Sequence, residues 1–595
     1  MRLALALSVC LTLAACGGGG FVTEARAGDT AAAPASQPYA NPLPLRTVEG
    51  GTVESCPDPS IIRGQKPGDD NWYLYCTNEK FSDSGTLHLL PIFRSADLVN
   101  WTYAGDVFDA MPTWVASNGG LWAPDIQFFN GKYYLYYSVS NTQQGGAAIF
   151  VATSSNPTGP WVASPVPVVA PGEAPCCAGI ARATIDSEIV QDGNQRYIFY
   201  GSFNGGISAR ALTSNGLQSI PSTQVQITVP DRYEAAYVVK RGGYFYLMVS
   251  AGSCCTGPSS GYGVYVARSL SPLGPYIDKD GNSLLDARVG GTPVLLMNGN
   301  RWLGPGHNAV ATDASGQDWM IYHAVDAARP YFENGWTRRP LMLDRMDWVD
   351  GWPRVRGGLG ASDDRQQGPS MRTTSAAGPT PAPLPEPERT LLPEFSDEFD
   401  SANMRTQWNW LRGPAHGTAD VIEGRFRFDT QAGDIYFGRQ DAAVLTRPAP
   451  AGDYMIEVKL ATTVPVAGSF NFVQGGLAVL APDGSFVKLT SVAINDTRQI
   501  EFAKQSTPVA GTSAEYASTF LASPADDTYL RLVRRASSSG QELYTAYSSH
   551  DGVTWEPGAT WRQSLGQGTS IGLVSMGGAG FTTLFDYVRV YALVK

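Results

Sequence analysis

The sequence predicts an all-β fold, a five-bladed β-propeller followed by a β-sandwich, and three observations lead to that prediction. A polar residue opens a short apolar strand five times, and each time a turn and an aromatic-rich strand follow. The unit recurs about every 50 to 75 residues, which is in or slightly above the range of propeller blades. From residue 394 onward, short alternating strands continue without any helical period, a pattern typical of a two-sheet sandwich.

The stretch from Arg232 to Ser250 shows the repeat most clearly. Its apolar runs lie on either side of Gly242 and Gly243, which predicts a β-hairpin. The aromatic strands of the five units begin near Trp72, Tyr133, Tyr197, Tyr244 and Trp319.

A polar residue stands at the head of every unit. The innermost strand of each propeller blade faces the central channel, so we expect these residues to converge at one end of that channel. An unpaired buried charge costs several kcal/mol, and such repeated placement therefore indicates chemistry. The five residues are Asp58, Asp125, Asp186, Glu234 and His307.

The N-terminus predicts export. Residues 1–16 carry one arginine and an apolar run that ends in Leu-Ala-Ala-Cys at Cys16, which is too short to span a membrane and is typical of a lipoprotein signal. We expect an outer-membrane or cell-surface lipoprotein held by a lipid anchor. Ordinary cleavage, giving a free periplasmic or extracellular protein, is the alternative.

Composition changes divide the rest of the chain. Residues 17–45 are polar and glycine-rich and predict a flexible tether, and the propeller takes residues 46–362. Residues 363–393 are rich in Ser, Thr and Pro, which predicts a linker. The sandwich takes residues 394–595.

The composition also limits the partners. Aromatic residues make up 11% of the chain and charged residues 16%, which suits surfaces that stack on sugar rings. The net charge of −11 argues against nucleic acid or an anionic membrane surface as a partner. We expect a monomer that binds a polysaccharide or oligosaccharide and needs no organic cofactor.

Six cysteines follow the signal. Cys56 and Cys76 lie in the first hairpin and are expected to pair in an oxidising compartment. The adjacent pairs leave alternatives open, because neighbours in a chain are closer than a disulfide prefers. They can pair internally, bridge to each other, or bind zinc. These pairs are Cys176 with Cys177 and Cys254 with Cys255.

Several motifs together resemble glycoside hydrolase family 43, and the likeness is to the arabinan endo-1,5-α-L-arabinosidase branch. They are CPDPSII around Asp58, WAPDI from Trp122, TIDSEIV around Asp186, YEAAYVV around Glu234, SAGSCCTG from Ser250 and GPGHNAV around His307. The tail, with FSDEFD near its start and GFTTLFDYVRVY near its end, is similar to the concanavalin-like jelly-roll that accompanies many such enzymes.

The resemblance implies a role for each matched residue. Asp58 matches the general base, Glu234 the general acid, and Asp186 the carboxylate that orients and tunes the acid. His307 matches an axial histidine near a metal ion, usually calcium, and Trp122 matches a ring that stacks on substrate. Departures at Pro57, Ser187 and Ala236 leave the carboxylates intact but bear on substrate preference.

Alternatives remain at five positions. Asp58, which precedes Pro59, has an alternative as a turn or cap residue. Asp125 is expected to bind substrate or else only to contact the backbone of a blade. Glu188 is a rival for the acid, because it follows Asp186 by two residues. His307 and Trp122 have an alternative as core residues.

The residues support acid and base chemistry without the resemblance. Inverting hydrolysis needs a carboxylic acid and a carboxylate about 6.5 to 9.5 Å apart, which opposite sides of a channel supply. Crowding Asp186 against Glu234 keeps one proton bound near neutral pH. These residues predict an inverting hydrolase, and the resemblance implies that its substrate contains α-L-arabinofuranosyl linkages. The alternatives are a β-xylosidase, a galactofuranosidase or a non-catalytic sugar-binding propeller.

Overall fold

The computed structural model describes residues 36–174, 177–372, 386–401, 407–413, 419–436, 438–506 and 515–594. The predicted signal at 1–16, the tether as far as residue 35 and Cys176 lie outside them. In the part of the chain that the structure describes, no helix is long and apolar enough to cross a membrane.

Five sheets follow one another along the chain and form the five blades of a β-propeller, as predicted. Blade 1 contains Ser60–Arg63, Trp72–Tyr75, Pro91–Ser95 and Trp101–Asp106, with Leu45–Arg46 and Thr52–Val53 added outside. Blade 2 contains Leu121–Phe129, Lys132–Val139, Ala148–Ser154 and Val162–Ala163. Blade 3 contains Glu188–Asp192, Gln195–Tyr200, Ser208–Ala211 and Val225–Gln226. Blade 4 contains Glu234–Arg241, Tyr244–Ala251, Gly263–Ser269 and Thr292–Leu295, and blade 5 contains Trp302–Thr312, Asp318–Asp326, Leu341–Val349 and Trp352–Val355.

The N-terminal segment closes the ring between blade 5 and blade 1. Asn41 exchanges hydrogen bonds with the backbone of Leu343 in blade 5, through its side-chain nitrogen at 3.0 Å and its side-chain oxygen at 3.0 Å. Leu45–Arg46 then pairs in parallel with the outer strand of blade 1. The predicted tether therefore ends earlier than residue 45, because Tyr39, Leu43 and Leu45 are buried against the propeller.

The predicted linker is also packed at both ends. Pro38–Tyr39 pairs with Gln366–Gln367, and Arg389–Leu391 adds to the last long strand of the sandwich. Residues 373–385, at its centre, lie outside the described ranges.

Two facing sheets form the C-terminal sandwich. One contains Ala419–Ile422, Arg425–Asp429, Thr582–Leu593, Tyr454–Thr462, Thr528–Ala536, Glu542–Ser549 and Glu556–Arg562, with Arg389–Leu391 beside Thr582–Leu593. The other contains Asn409–Leu411, Val444–Pro448, Ser570–Met576, Gln474–Leu480, Phe486–Ile494, Thr497–Ser506 and Glu515–Phe520. Shorter elements are the hairpins Glu79–Lys80 with Leu87–His88, Glu173–Ala174 with Cys177–Ala181 and Ile435–Tyr436 with Arg439–Gln440, and the 3-10 turns Pro221–Thr223, Gly257–Ser259, Arg356–Gly358 and Pro393–Phe395.

The sandwich packs directly on blade 4. One hydrophobic cluster runs through both domains and includes Tyr265 and Leu296 of blade 4 together with Leu521 and Trp561 of the sandwich. The approach is close enough that a Cβ on Gly261 would lie 1.7 Å from the carbonyl oxygen of Ser518. Glycine is therefore required there for contact between the domains.

Candidate active site

The head of each inner strand adopts a left-handed backbone. The φ angles are 53° at Asp58, 44° at Ala123, 57° at Asp186, 54° at Ala235 and 48° at His307. Residues other than glycine rarely adopt this conformation, and it concentrates at functional sites. The five equivalent positions turn the chain at the mouth of the channel.

We call these five left-handed residues the heads of the inner strands. In four of them the backbone N–H donates a hydrogen bond to a polar side chain of the preceding blade. Each acceptor follows or lies near the end of an aromatic strand. The bonds run from Ala123 to Thr77 Oγ1 at 2.8 Å, from Asp186 to Ser138 Oγ at 3.0 Å, from His307 to Ser250 Oγ at 3.0 Å and from Asp58 to His323 Nδ1 at 3.2 Å. In blade 4, Asp186 Oδ2 takes the acceptor role and receives the N–H of Ala235 at 3.1 Å.

Ligand sites typically measure about 300 to 1,000 Å³, and the cavity at this end of the channel measures 880 Å³. Four of the five predicted head residues line it, and Trp122 lies at its edge with its side chain 41% exposed. The cavity residues that matter below are Asp58, Trp122, Asp186, Glu234, Cys254, Cys255, Tyr262, His307, Tyr331, Trp336 and Arg339.

Asp58 is buried and surrounded by donors. Arg339 Nη1 lies 2.8 Å from its Oδ1, and the Thr77 hydroxyl donates to its Oδ2 at 2.6 Å. His307 Nδ1 lies 3.3 Å from Oδ1. Burial alone raises the pKa of this carboxyl, but the charges of Arg339 and His307 outweigh burial, so the pKa of Asp58 lies well below 3.8. Asp58 is therefore a carboxylate at neutral pH.

Glu234 is held by two hydroxyls. Tyr262 Oη contacts its Oε1 at 2.6 Å, and Ser202 Oγ contacts its Oε2 at 2.5 Å. A hydroxyl donates and accepts, so both contacts persist whether Glu234 carries a proton or not. Glu234 is the first residue of the inner strand of blade 4. Its side chain and that of Asp58 line the same cavity.

Asp186 and His307 lie between these two carboxyls. Burial raises the pKa of Asp186 to about 7, and the charges of Glu234 and Asp58 act in the same direction against the opposing effect of His307. For His307, burial favours the neutral ring, but Asp58 and Asp186 outweigh it and the pKa is raised above 6.5. The surroundings of the cavity therefore raise the pKa values of both Asp186 and His307.

Asp125 does not line this cavity. It lies two residues past the left-handed Ala123, whereas Asp58 and Asp186 themselves occupy the left-handed position. The predicted ring of heads is therefore corrected at blade 2, where the sequence register was misread by two residues.

Asp125 belongs instead to a second set of side chains, which lie two residues past the heads of blades 1 to 4. Each contacts the backbone of the next blade. Ser60 Oγ accepts from Ile126 N at 3.1 Å, Asp125 Oδ2 from Ile189 N at 2.9 Å and Glu188 Oε1 from Val238 N at 3.1 Å, and Tyr237 Oη donates to Val310 O at 3.1 Å. Glu188, the rival acid, has this role too and does not line the cavity.

The side chains present fit a protein-held calcium ion only in part. Calcium takes six to eight oxygen ligands, and His307 offers one imidazole whose Nδ1 faces Asp58. Across the described ranges, no three His, Cys, Asp or Glu side chains converge on a metal position. Water would have to supply most of the ligands.

Sequence reasoning missed several residues of the site. Arg339, His323 and Tyr262 contact Asp58 or Glu234, yet none stands in the repeated head position. One signal was available for His323, because it ends the aromatic strand WMIYH just as Ser138 and Ser250 end theirs. Arg339 and Tyr262 lie in loops, where no periodic pattern marks them.

The channel holds three carboxyls in one cavity, Asp58, Asp186 and Glu234, which are the groups that acid–base hydrolysis of a glycoside needs. Aromatic side chains at the cavity edge are typical of sugar binding. Residues 53–353 match the model of the glycosyl hydrolases family 43, and residues 396–582 match the beta xylosidase C-terminal concanavalin A-like domain. The chain belongs to glycosyl hydrolase family 43, and the resemblance seen in the sequence is confirmed.

Characterised relatives match the propeller part of the chain. The extracellular exo-alpha-(1->5)-L-arabinofuranosidase ArbA of Cellvibrio japonicus is 31% identical over 311 residues, which cover 48% of this chain and 83% of the relative. The extracellular endo-alpha-(1->5)-L-arabinanase 1 of Bacillus subtilis is 32% identical over 313 residues, covering 51% and 88%. The solved structure of a Cellvibrio cellulosa alpha-L-arabinanase complexed with arabinohexaose is 30% identical, covers 51% of this chain and 95% of that one, and has a TM-score of 0.42.

Proposed function

We propose that this glycoside hydrolase cleaves α-L-arabinofuranosyl linkages of arabinan or its oligosaccharides with inversion at the anomeric carbon. Relatives named as an arabinofuranosidase and an arabinanase, both about 30% identical, support the sugar. The single observation that carries the chemistry is the pairing of ionised Asp58 with hydroxyl-held Glu234 in one cavity.

In this mechanism Asp58 takes a proton from water as the water attacks the anomeric carbon. Glu234 gives its proton to the leaving oxygen, as an inverting reaction requires. Asp186 accepts a hydrogen bond from the N–H of Ala235, the residue after Glu234, so it fixes the backbone that carries the acid. Arg339 keeps the base ionised between turnovers.

Leaving-group dependence tests these roles. Glu234→Gln should nearly abolish cleavage of arabino-oligosaccharides but spare an aryl arabinofuranoside with an acidic phenol, because that phenol needs little protonation. Asp58→Asn should remove activity on both substrates. Glu188→Gln is the matched control, since Glu188 lies outside the cavity. If Glu188→Gln shows the leaving-group dependence instead, the acid has been misassigned.

A substrate panel tests the sugar. Arabinan, arabinoxylan, galactofuranan and β-xylosides are incubated with the enzyme and the products are sized and analysed by NMR for anomeric configuration. Release of arabinose or arabino-oligosaccharides with inverted configuration is expected. Preference for a xyloside or galactofuranoside would favour the alternative substrates, and binding without cleavage would favour a sugar-binding propeller.

Calcium at His307 remains a proposal. It is supported by the resemblance of the GPGHNAV motif and by the place of His307 in the cavity wall. Chelation should lower the melting temperature or the activity, and added calcium should restore it. A chelated enzyme with unchanged melting temperature and activity would exclude the ion from the site.

Export is proposed from the Leu-Ala-Ala-Cys motif at Cys16 and from relatives named extracellular. Cys16→Ser should move the protein from the membrane fraction to the soluble fraction. If the wild-type protein is already in the soluble fraction, the lipid anchor is excluded and secretion of a free protein remains. Sedimentation of the released protein tests the proposed monomer.

A further inference from the structure

Two adjacent cysteines form part of the cavity wall. The sulfur atoms of Cys254 and Cys255 are bonded to each other, and their Cα atoms lie 3.8 Å apart. Both residues line the cavity that holds Glu234. Cys255 is exposed and Cys254 is half-buried. The acid–base chemistry uses neither residue.

The Cys254–Cys255 disulfide is expected to contribute little to the stability of the fold. A disulfide stabilises a protein mainly by restricting the unfolded chain, and the effect grows with the length of the closed loop. Cys254 and Cys255 enclose no residue between them. By contrast, Cys56 and Cys76 are fully buried and separated by 20 positions. The exposed bond in the cavity therefore needs another explanation.

The loop that carries the pair is fixed on two sides. The Thr337 hydroxyl of blade 5 donates to the carbonyl of Cys255 at 2.7 Å, and the Tyr331 hydroxyl donates to the carbonyl of Thr256 at 3.2 Å. On its other side, Gly261 abuts Ser518 of the sandwich so closely that no side chain fits between them. The disulfide therefore keeps a fixed place in the wall.

The surroundings are those of a sugar-binding surface. Trp122, Tyr331 and Trp336 line the same cavity with 41%, 42% and 46% of their surfaces exposed. Tyr262, at the end of the cysteine loop, contacts Glu234 directly. The disulfide thus stands beside the acid and among exposed aromatic side chains.

We propose that the Cys254–Cys255 disulfide is an apolar contact surface for the C–H face of a sugar ring adjacent to the scissile bond. Its sulfur atoms are polarizable, and joining the two side chains in one ring leaves little conformational freedom to lose on binding. Two free thiols in its place would rotate and would expose polar S–H groups. For the identity of the sugar, this inference rests on the proposed function.

Reduction with a water-soluble phosphine tests the proposal on the intact protein. The phosphine breaks the S–S bond, takes oxygen from water to become its oxide, and leaves two thiols. Alkylation at Cys254 and Cys255, read by peptide mass spectrometry, confirms the reduction. We expect KM for arabino-oligosaccharides to rise about fivefold to tenfold, as for the loss of one apolar contact surface. The kcat value should stay within about twofold of that of the untreated enzyme. The melting temperature should change by no more than about 2 °C.

The double variant Cys254→Ser with Cys255→Ser is the matched control. It should show the raised KM without reductant and should not respond to the phosphine. Unchanged KM in a fully reduced enzyme would overturn the proposal, and so would a fall in melting temperature that accounts for lost activity. If the untreated enzyme cleaves a xyloside or galactofuranoside instead, the arabinan assignment fails and the same comparison is made on that substrate.

Discussion

Asp58 stays ionised because of residues that are far from it in sequence. Arg339, which contacts it at 2.8 Å, is 281 residues away and belongs to blade 5. His307 and His323 of the same blade complete its surroundings. The carboxylate that we propose as the general base lies in blade 1, and it depends on blade 5 for its charge.

Replacing Arg339 should shift the pH profile. A base must be ionised to act, so activity falls as the pH drops through its pKa. Arg339→Met removes the charge that lowers this pKa, and the acid limb of kcat/KM should move up by about 1 to 3 pH units.

Arg63→Met is a suitable control, because Arg63 forms an exposed ion pair with Asp70 outside the cavity. Its pH profile should match the wild type. An acid limb that does not move in Arg339→Met would show that Asp58 is not the titrating base.

At the scale of the element, the inner strands are joined by two layers of polar contacts. The upper layer fixes the heads of the inner strands. The lower layer links blades 1 to 5 in succession through Ser60, Asp125, Glu188 and Tyr237. Burial raises the pKa of Asp125 to about 7, and burial together with Asp125 raises that of Glu188 well above 4.5. Burial therefore favours the protonated form of both carboxyls of the lower layer.

Variants of Asp125 should separate the contribution of its hydrogen bond to stability from the contribution of its ionisable carboxyl. Asp125→Ala leaves the buried N–H of Ile189 without its acceptor and should cost about 1 to 3 kcal/mol. Asp125→Asn keeps an acceptor oxygen and should cost much less near pH 5. Melting temperatures of both variants against the wild type provide the measurement.

The pH dependence of Asp125→Asn has a definite sign. Burial in the folded wild type raises the pKa of Asp125 from 3.8 to about 7. Between these two pH values the folded protein holds a proton that the unfolded chain releases. The free energy of unfolding therefore falls as the pH rises from 3.8 to about 7. Asparagine does not titrate. Asp125→Asn should therefore gain stability relative to the wild type between pH 5 and pH 8, and a constant difference would contradict the raised pKa.

The sequence predicted the blades well because each aromatic hairpin is a local pattern. It also predicted Asp58, Asp186, Glu234 and His307 as residues of one channel end, and the structure brings them together. The error at Asp125 arose because the repeats were aligned on acidic residues, whereas the blades are aligned on the left-handed backbone position. The left-handed position is occupied by Asp, Ala or His in different blades, so residue type alone does not reveal it.

At the scale of the molecule, the sandwich and blade 4 form one packed unit. Arg232, two residues before Glu234, is buried between the domains, with Gln499 Oε1 at 3.0 Å and the Phe520 ring at 4.4 Å. The Tyr265 hydroxyl of blade 4 donates to the carbonyl of Phe520 at 2.6 Å. A sequence reading that separates catalytic and accessory domains does not anticipate this contact, because it depends on side chains more than 200 residues apart.

Phe520→Ala should lower both the melting temperature and kcat, because it removes the ring that packs on Arg232 beside the acid strand. We expect about 2 to 4 kcal/mol of destabilisation for a partly buried aromatic residue. Phe472→Ala, at a sandwich position that is 54% exposed, is the matched control and should change neither. Deleting the sandwich should destabilise the propeller, and a soluble truncation with wild-type melting temperature would contradict the shared core.

The closure of the ring by residues from both ends of the propeller has a consequence for synthesis. The ribosome delivers Asp58 first, and the 281 positions to Arg339 take about 15 to 60 seconds at 5 to 20 residues per second. During that interval the early blades exist without the partners that give Asp58 its charge. We therefore expect the enzyme to become active only after blade 5 docks, so the first activity during refolding should coincide with the docking of that last blade.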